Sequence, residues 1–216
     1  MEIATDVAGI RKEYRLQSLV EKDVEPDPIV QFKKWWEQAT ASNIEEVNAM
    51  TLATCTRDGK PSSRIVLLKE IKKDGFVFFT NYNSKKGKQL NDNPFASLVF
   101  FWKELERQVR IEGTVEKVSA GESDKYFSSR PLESRIGAWS SPQSEVIENR
   151  EVLESNVAFY NEEFQSQNIP RPENWGGYIV RPDLIEFWQG RPGRLHDRLQ
   201  YISNEENSWI VERLAP

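Results

Sequence analysis

Phe95-Ala-Ser-Leu-Val-Phe-Phe-Trp102, then Lys103-Glu-Leu-Glu106, then Arg107-Gln-Val-Arg-Ile-Glu-Gly-Thr-Val-Glu-Lys-Val118, is the stretch that decides the fold. Leu98 to Trp102 is apolar on both faces, and so is Val77-Phe-Phe79. The last run alternates: Val109, Ile111 and Val115 point one way, and Gln108, Arg110, Glu112, Thr114 and Glu116 point the other. A strand buried on both faces needs a barrel interior on one side and a helix or second subunit on the other.

Outward from this pair, strand signals recur at short spacing. Ala49–Thr56 and Ser62–Glu70 flank the Asp-Gly turn Arg57-Asp-Gly-Lys60, and Phe76–Asn81 follows Lys73-Asp-Gly75. Further strands are expected at Tyr178–Val180, Leu184–Gln189, Leu199–Ser203 and Ser208–Arg213. Helices lie between them. Asp27 caps and Pro28 opens a helix over 28–41, with Ile29, Phe32, Trp35, Trp36 and Ala39 on its apolar side. Others are expected at Ser84–Asn91, from the Ser119/Glu122 capping box to Ser129, as a turn over Pro131–Ala138, and at Glu145–Gln165. The polar residues 1–26 read as a mobile arm with a short helix near Ile10–Tyr14, and 27–216 as a single domain. This pattern is a mostly β, α+β chain: an antiparallel barrel with peripheral helices, not a doubly wound sheet.

Composition narrows the function. The chain has 216 residues, 38% hydrophobic and 29% charged, enough for a substantial core. A net charge of −5 argues against nucleic-acid and acidic-membrane partners. One cysteine, Cys55, and one histidine, His196, leave no multi-cysteine or poly-histidine metal site. The apolar stretch 95–102 falls far short of the roughly 18 residues that span a bilayer, and the N-terminus lacks secretory features, so a cytoplasmic location is expected. No glycine-rich dinucleotide or P-loop motif occurs.

Several clusters point to anion chemistry. In Gly190-Arg-Pro-Gly-Arg-Leu-His-Asp-Arg198, an extended backbone would put Arg194, His196 and Arg198 on one face. The bland alternative is a solvated basic loop in which Asp197 pairs with a neighbour. Trp188 runs straight into this loop and offers an aromatic wall beside cations. Arg64 and Lys69 bracket an apolar strand at odd separation, so they should face opposite ways; ordinary charged strand ends are the competing reading. Ser84-Lys-Lys86 sits at a helix start that would favour phosphate, although taken alone a solvated loop is the better reading. Gln143-Ser144 after Pro142 reads as a simple cap. Tyr126, Arg130 and Ser134 recur every four residues, suiting a phosphate monoester if the helix runs through Pro131.

Ten motifs in order resemble the pyridoxine (pyridoxamine) 5′-phosphate oxidase family. They are Arg64-Ile-Val-Leu-Leu-Lys69, Phe79-Thr-Asn81, Ser84-Lys-Lys86, Glu106-Arg-Gln-Val109, Tyr126-Phe-x-x-Arg-Pro131, Ile136-Gly-Ala-Trp139, Trp175-Gly-Gly177, Glu186-Phe-Trp-Gln-Gly190, Arg194-Leu-His-Asp-Arg198 and Arg213-Leu-Ala-Pro216. The resemblance implies an FMN-binding split barrel acting as a homodimer with its sites at the subunit interface. It implies FMN contacts from Arg64, Ile65, Val66, Leu67, Leu68, Lys69, Phe79, Thr80, Lys85, Lys86, Gln108, Gln143, Ser144, Trp188 and Arg198. The substrate phosphate would meet Lys69, Tyr126, Arg130 and Ser134. Arg194, Leu195 and His196 would cover the substrate ring, with Arg194 and His196 catalytic, and Arg11, Lys12, Glu13 and Tyr14 would close over it. The implied reaction turns pyridoxine or pyridoxamine 5′-phosphate into pyridoxal 5′-phosphate at the expense of O2, without a metal. Lys85 stands where the family more often has Arg, which keeps the charge but loses the bidentate fork. The competing functions are another flavin split-barrel oxidoreductase and a non-catalytic flavin-binding module.

Overall fold

The computed structural model describes Gly9 and residues 12–165, 168–204 and 208–216. The chain divides into two compact units, one of Asn48–Val99 with Ile111–Asp183, the other of Met1–Val47, Phe100–Arg110 and Leu184–Pro216. The described strands are β1 (Ala49–Cys55), β2 (Pro61–Leu67), β3 (Glu70–Ile71), β4 (Phe76–Asn81), β5 (Phe95–Trp102), β6 (Arg107–Lys117), β7 (Trp175–Gln189), β8 (Asp197–Ser203) and β9 (Trp209–Leu214). They pair in the order β2-β1-β5-β6-β7-β4-β3, with β8 on β7 and β9 on β8. The helices are α1 (Pro28–Ala41), α2 (Lys85–Asp92), α3 (Ala120–Ser129), α4 (Leu132–Ser140) and α5 (Arg150–Phe164). An antiparallel half-barrel with helices around it is the class the strand spacing implied.

In the first unit the Asp-Gly turn does what its residues require. Gly59 takes φ 79°, and β1 and β2 pair from Ala49↔Leu67 to Cys55↔Pro61. β1 also pairs with β5, and β4 with β7 from Phe76↔Val180 to Asn81↔Trp175. Ser119 and Glu122 form the expected capping box of α3. In the second unit the Asp27 carboxylate accepts the Ile29 and Val30 amides, and α1 turns Ile29, Phe32, Trp35 and Ala39 inward. Phe32 meets Phe100 at 5.1 Å between ring centroids, and Trp35 meets Phe187 at 5.1 Å. Each such fully buried ring contributes about 1.5–3 kcal/mol, so this aromatic layer anchors the unit.

Some boundaries differ from expectation. β2 stops at Leu67 rather than Glu70, because the chain breaks at Leu68 and Lys69 before β3. The two strands expected within 175–189 are one, since Pro182 is accommodated in a continuous β7. α5 begins at Arg150, behind an Asn149 cap, not at Glu145. Residues 12–14 carry no helix, and Ile10 lies outside the described residues. β5 alternates: Leu98, Phe100 and Trp102 are buried, while Phe95 and Phe101 remain more than half exposed. The second apolar face of that strand is thus left open in the single chain.

Candidate active site

A cavity of about 1000 Å³ opens in the Asn48–Val99/Ile111–Asp183 unit. Arg64, Lys69, Lys85, Lys86 and Arg130 line it, and no aspartate or glutamate does. None of these five cations has a carboxylate partner among the described residues. In a chain of net charge −5 this concentrates positive potential at one place.

β2 delivers Arg64, and its neighbours fix it. The guanidinium donates to Thr54 Oγ1 at 2.7 Å, Ser62 Oγ at 2.7 Å and the Leu52 carbonyl at 3.2 Å. Both hydroxyls donate onward to Gln89 Oε1, at 2.6 and 2.7 Å, so their lone pairs face Arg64. Lys69 was expected to face away from Arg64. The break after β2 carries it round, so that its amide bonds the Val77 carbonyl and its side chain lines the same cavity.

Ser84 caps α2, as its sequence suggested, and Lys86 follows inside the first turn. Lys86 is buried, with Nζ donating to Thr80 Oγ1 at 3.0 Å, Gln143 Oε1 at 3.3 Å and Ser84 Oγ at 3.4 Å. Burial, and then the nearby Arg64 charge, lower its pKa to about 8. Gln143 and Ser144 are not at a helix start. They occupy a turn at 141–145 in which Ser144 takes φ 73°, and this turn brings them to the cavity wall.

Tyr126, Arg130 and Ser134 also meet at the cavity, although no single helix carries them. α3 ends at Ser129, Arg130 is extended at ψ 149°, and α4 starts after Pro131. Phe79, Tyr126 and Trp175 form a stack, with centroids 4.0 Å apart for Phe79–Tyr126 and 5.5 Å for Phe79–Trp175. The Arg130 guanidinium lies 4.5 Å above Trp175, and its buried Nη1 has no hydrogen-bond partner among the described residues. Burial lowers the Arg130 pKa. A buried donor left unmatched is costly, and an anionic ligand would remove the cost.

The other unit holds the rest of the expected set. Trp188 sits 4.6 Å from His196 between ring centroids, and Tyr14 packs edge-on to both, at 5.6 and 5.9 Å. Tyr14 also covers Gly190, where any Cβ would come within 2.6 Å of the ring. The loop is not extended as supposed. Pro192–Arg194 forms a 3-10 turn, with Gly193 at φ 64° and Arg194 at φ 62°, so Arg194, His196 and Arg198 do not share a strand face. Asp197 pairs with Arg191 and Arg213, as the bland alternative had it, and Arg198 is clamped on buried Glu186. Lys12, Glu13, Tyr14, Arg194 and His196 line a second cavity of about 570 Å³, and Leu195 points outward.

His196 Nδ1 accepts the Arg191 backbone N–H at 3.1 Å. Burial, with the Arg194 charge adding to it, lowers the His196 pKa and so favours the neutral ring. With Nδ1 an acceptor, the proton sits on Nε2, which is a donor rather than a base.

Fifteen positions were assigned to the flavin by resemblance. Arg64 to Leu67, Lys69, Phe79, Thr80, Lys85, Lys86, Gln143 and Ser144 line the first cavity. Leu68 is buried and does not line it. Gln108 on β6, Trp188 on β7 and Arg198 on β8 belong to the other unit and do not line it. Arg11 lies outside the described residues. Sequence reasoning missed Ser62 and Trp175 as site residues. Ser62 shares an inward β2 face with Arg64, and that two-residue period was a usable signal. The Trp175 stack joins residues far apart in the chain and left none.

Residues 36–161 match the pyridoxamine 5′-phosphate oxidase family, and residues 175–216 match the pyridoxine 5′-phosphate oxidase C-terminal dimerisation region. A Nostoc sp. protein named pyridoxine/pyridoxamine 5′-phosphate oxidase is 58% identical over 97% of this chain and 98% of its own length. One of the same name from Cupriavidus metallidurans is 53% identical over 98% of this chain and 100% of its own. Among solved structures, Burkholderia lata PhzG in complex with tetrahydrophenazine-1-carboxylic acid superposes with a TM-score of 0.87 at 31% identity, covering 93% of this chain and 99% of that one. A pyridoxamine 5′-phosphate oxidase-related, FMN-binding protein from Nostoc punctiforme reaches 0.70 at 17% identity, covering 89% and 100%, a likeness of fold. No helix among the described residues is long and apolar enough to cross a membrane.

Proposed function

This chain belongs to the pyridoxamine 5′-phosphate oxidase family, and from that premise we propose that it oxidises pyridoxine or pyridoxamine 5′-phosphate to pyridoxal 5′-phosphate, with FMN as cofactor and O2 reduced to H2O2, water releasing ammonia when the substrate is the amine. The carrying observation is the carboxylate-free cavity with five cations, one of which keeps a buried guanidinium donor unmatched. Two phosphates, one from cofactor and one from substrate, are the anions it suits.

The residues fit a flavin mononucleotide. Lys86, held by Thr80 and Gln143, is a desolvated cation whose hydrogen-bond partners are all neutral and whose nearest charge, Arg64, is also positive, as a phosphate cradle requires. Lys85, Ser144 and the pinned Arg64 add donors around it, and Ile65 to Leu67 offer apolar wall. When bound, FMN supplies a two-electron acceptor that O2 can regenerate. Lys69, Tyr126, Arg130 and Ser134 hold the substrate phosphate and so fix the position of the reacting carbon. Arg194 places positive charge against the substrate, and neutral His196 donates a hydrogen bond through Nε2 without moving the proton.

The working enzyme is a cytoplasmic homodimer. Residues 175–216, matched as a dimerisation region, carry Trp188, Arg194, His196 and Arg198. The apolar residues Ile65, Phe95 and Phe101 are exposed in the single chain. A second copy supplies the His196 loop and Gln108 to the cavity, and the arm within 1–26 closes over the ring.

The test compares kcat/KM for phosphorylated and unphosphorylated pyridoxine in wild type and Arg130→Ala. Two charge-assisted bonds contribute roughly 3–6 kcal/mol, so wild type should prefer the phosphate ester by on the order of a hundred-fold or more. Arg130→Ala should narrow that preference. Equal handling of both by wild type would redirect the reading to another flavin oxidoreductase.

A further inference from the structure

Glu106 stands apart from the residues used so far. It is 3% exposed, yet it takes a left-handed backbone at φ 55°, which glutamate seldom adopts. Its carboxylate faces the N-terminal segment: Oε2 accepts the amides of Arg15 at 2.8 Å and Leu16 at 3.1 Å, and Oε1 lies 3.5 Å from Lys12 Nζ. Its carbonyl faces the other way, accepting the Gly190 amide at 2.8 Å and Gln189 Nε2 at 3.2 Å. One residue therefore grips the arm with its side chain and the start of the His196 loop with its backbone. Tyr14 lies between the gripped positions and rests on Gly190, Trp188 and His196.

We propose that Glu106 is a positioning residue that latches the segment Lys12–Leu16 against the Gly190–His196 loop, so that Tyr14 is held on His196 when substrate arrives. Two backbone amides and an ammonium converge on one buried carboxylate, and no other acceptor is bonded by the Arg15 and Leu16 amides among the described residues. The left-handed backbone aims the side chain at the arm while leaving the carbonyl for Gly190. Neighbouring Arg107 reinforces the grip through Gln17 and Gln189. The effect on turnover rests on the oxidase reading above; the latch itself does not.

The experiment uses full-length, flavin-loaded protein and the variants Glu106→Gly and Glu106→Gln. Glycine removes the carboxylate and suits φ 55°, so the backbone gives no reason to unfold. Limited trypsin digestion should cut after Lys12 and Arg15 at least about tenfold faster in Glu106→Gly. KM for pyridoxine 5′-phosphate should rise about tenfold while kcat changes less than about threefold. Glu106→Gln keeps an acceptor oxygen but not the charge, and should fall between. Wild-type cleavage rates in both variants overturn the latch, whatever the activity. If cleavage accelerates but no vitamer is oxidised by any form, the latch stands and the oxidase reading fails. Hydrogen exchange on the unmodified protein is a check that needs no variant: slow Arg15 and Leu16 amides are expected, and free exchange at both overturns the proposal.

Discussion

Arg64, Lys69, Lys85, Lys86 and Arg130 share one cavity in the Asn48–Val99/Ile111–Asp183 unit with no carboxylate among its lining residues. In the other unit most of the arginines are already matched by carboxylates. Arg198 and Arg110 share Glu186, Arg213 is held by Glu21 and Asp197, and Lys12 reaches Glu106. Among the described arginines of this unit only Arg107 and Arg194 lack an ion pair, and Arg107 is taken up by Gln17, Gln38 and Gln189. The lysines Lys22, Lys33 and Lys103 are unpaired too, but exposed and away from the second cavity that Arg194 lines. The first unit carries the desolvation cost of unpaired charge, which an anionic ligand offsets. The second spends its charges on holding strands, arm and loop in place. A ligand-binding cation and a structural cation can therefore be told apart by whether the protein already supplies the counter-charge.

Arg194→Ala is the sharpest challenge to this contrast. If Arg194, the unpaired cation of the second cavity, is functional, its loss should cost about 2–4 kcal/mol in transition-state stabilisation while flavin content stays near wild type. Steady-state kinetics with a released-flavin measurement checks it, and near-normal kcat/KM would place Arg194 with the structural cations. Arg198→Ala should behave differently. It removes two of the three hydrogen bonds that the carboxylate of buried Glu186 accepts among the described residues, at 2.8 and 3.0 Å, and should lower stability by about 2 kcal/mol even in flavin-free protein. Urea unfolding of the apo form reads this directly. Unchanged stability with lost flavin would instead place Arg198 with the ligand-binding cations.

The smallest effect is a pH dependence with two signs. Lys86 titrates at about 8 when folded, against 10.5 ordinarily. The unfolded chain therefore binds more protons between these values, and the flavin-free protein should gain stability as pH rises from 8 towards 10.5 through this group. Affinity for an anionic cofactor should run the other way, falling by at most about tenfold per pH unit above 8, or about 1.4 kcal/mol, as the ammonium is lost. Lys86→Met should flatten both trends. Fluorescence titration of flavin and urea midpoints across this range would show it, and a flat wild-type profile would mean that Lys86 is not a phosphate partner.

The elements were largely legible because local physics sets them. Asp27-Pro28, Asp58-Gly59 and Ser119/Glu122 each specify a cap or turn from side-chain geometry alone, and they fixed α1, the β1–β2 turn and α3. The alternation along Arg107–Val118 likewise gave β6 and its buried face. Misreadings came where backbone conformation depends on distant partners. Periodicity carried the 145–165 helix too far upstream. The shared face of Arg194, His196 and Arg198 held only if 190–198 were extended, and Gly193 and Arg194 turn it back.

By itself the sequence determined the antiparallel mostly-β class, and ten motifs in order implied the family. It also identified which residue types would meet an anion. Only the tertiary structure decided which of them share a cavity. Arg64 and Lys69 seemed to face apart until the break after Leu67 turned Lys69 round. Tyr126, Arg130 and Ser134 needed two helices rather than one, and the turn at Gln143-Ser144 lies far along the chain from Lys86, which it serves. Arg198 looked as free as Arg194 until β7 placed Glu186 beside it. Charge type is a property of each residue, but whether that charge is already neutralised depends on residues brought close by folding, and sequence spacing does not encode that distance.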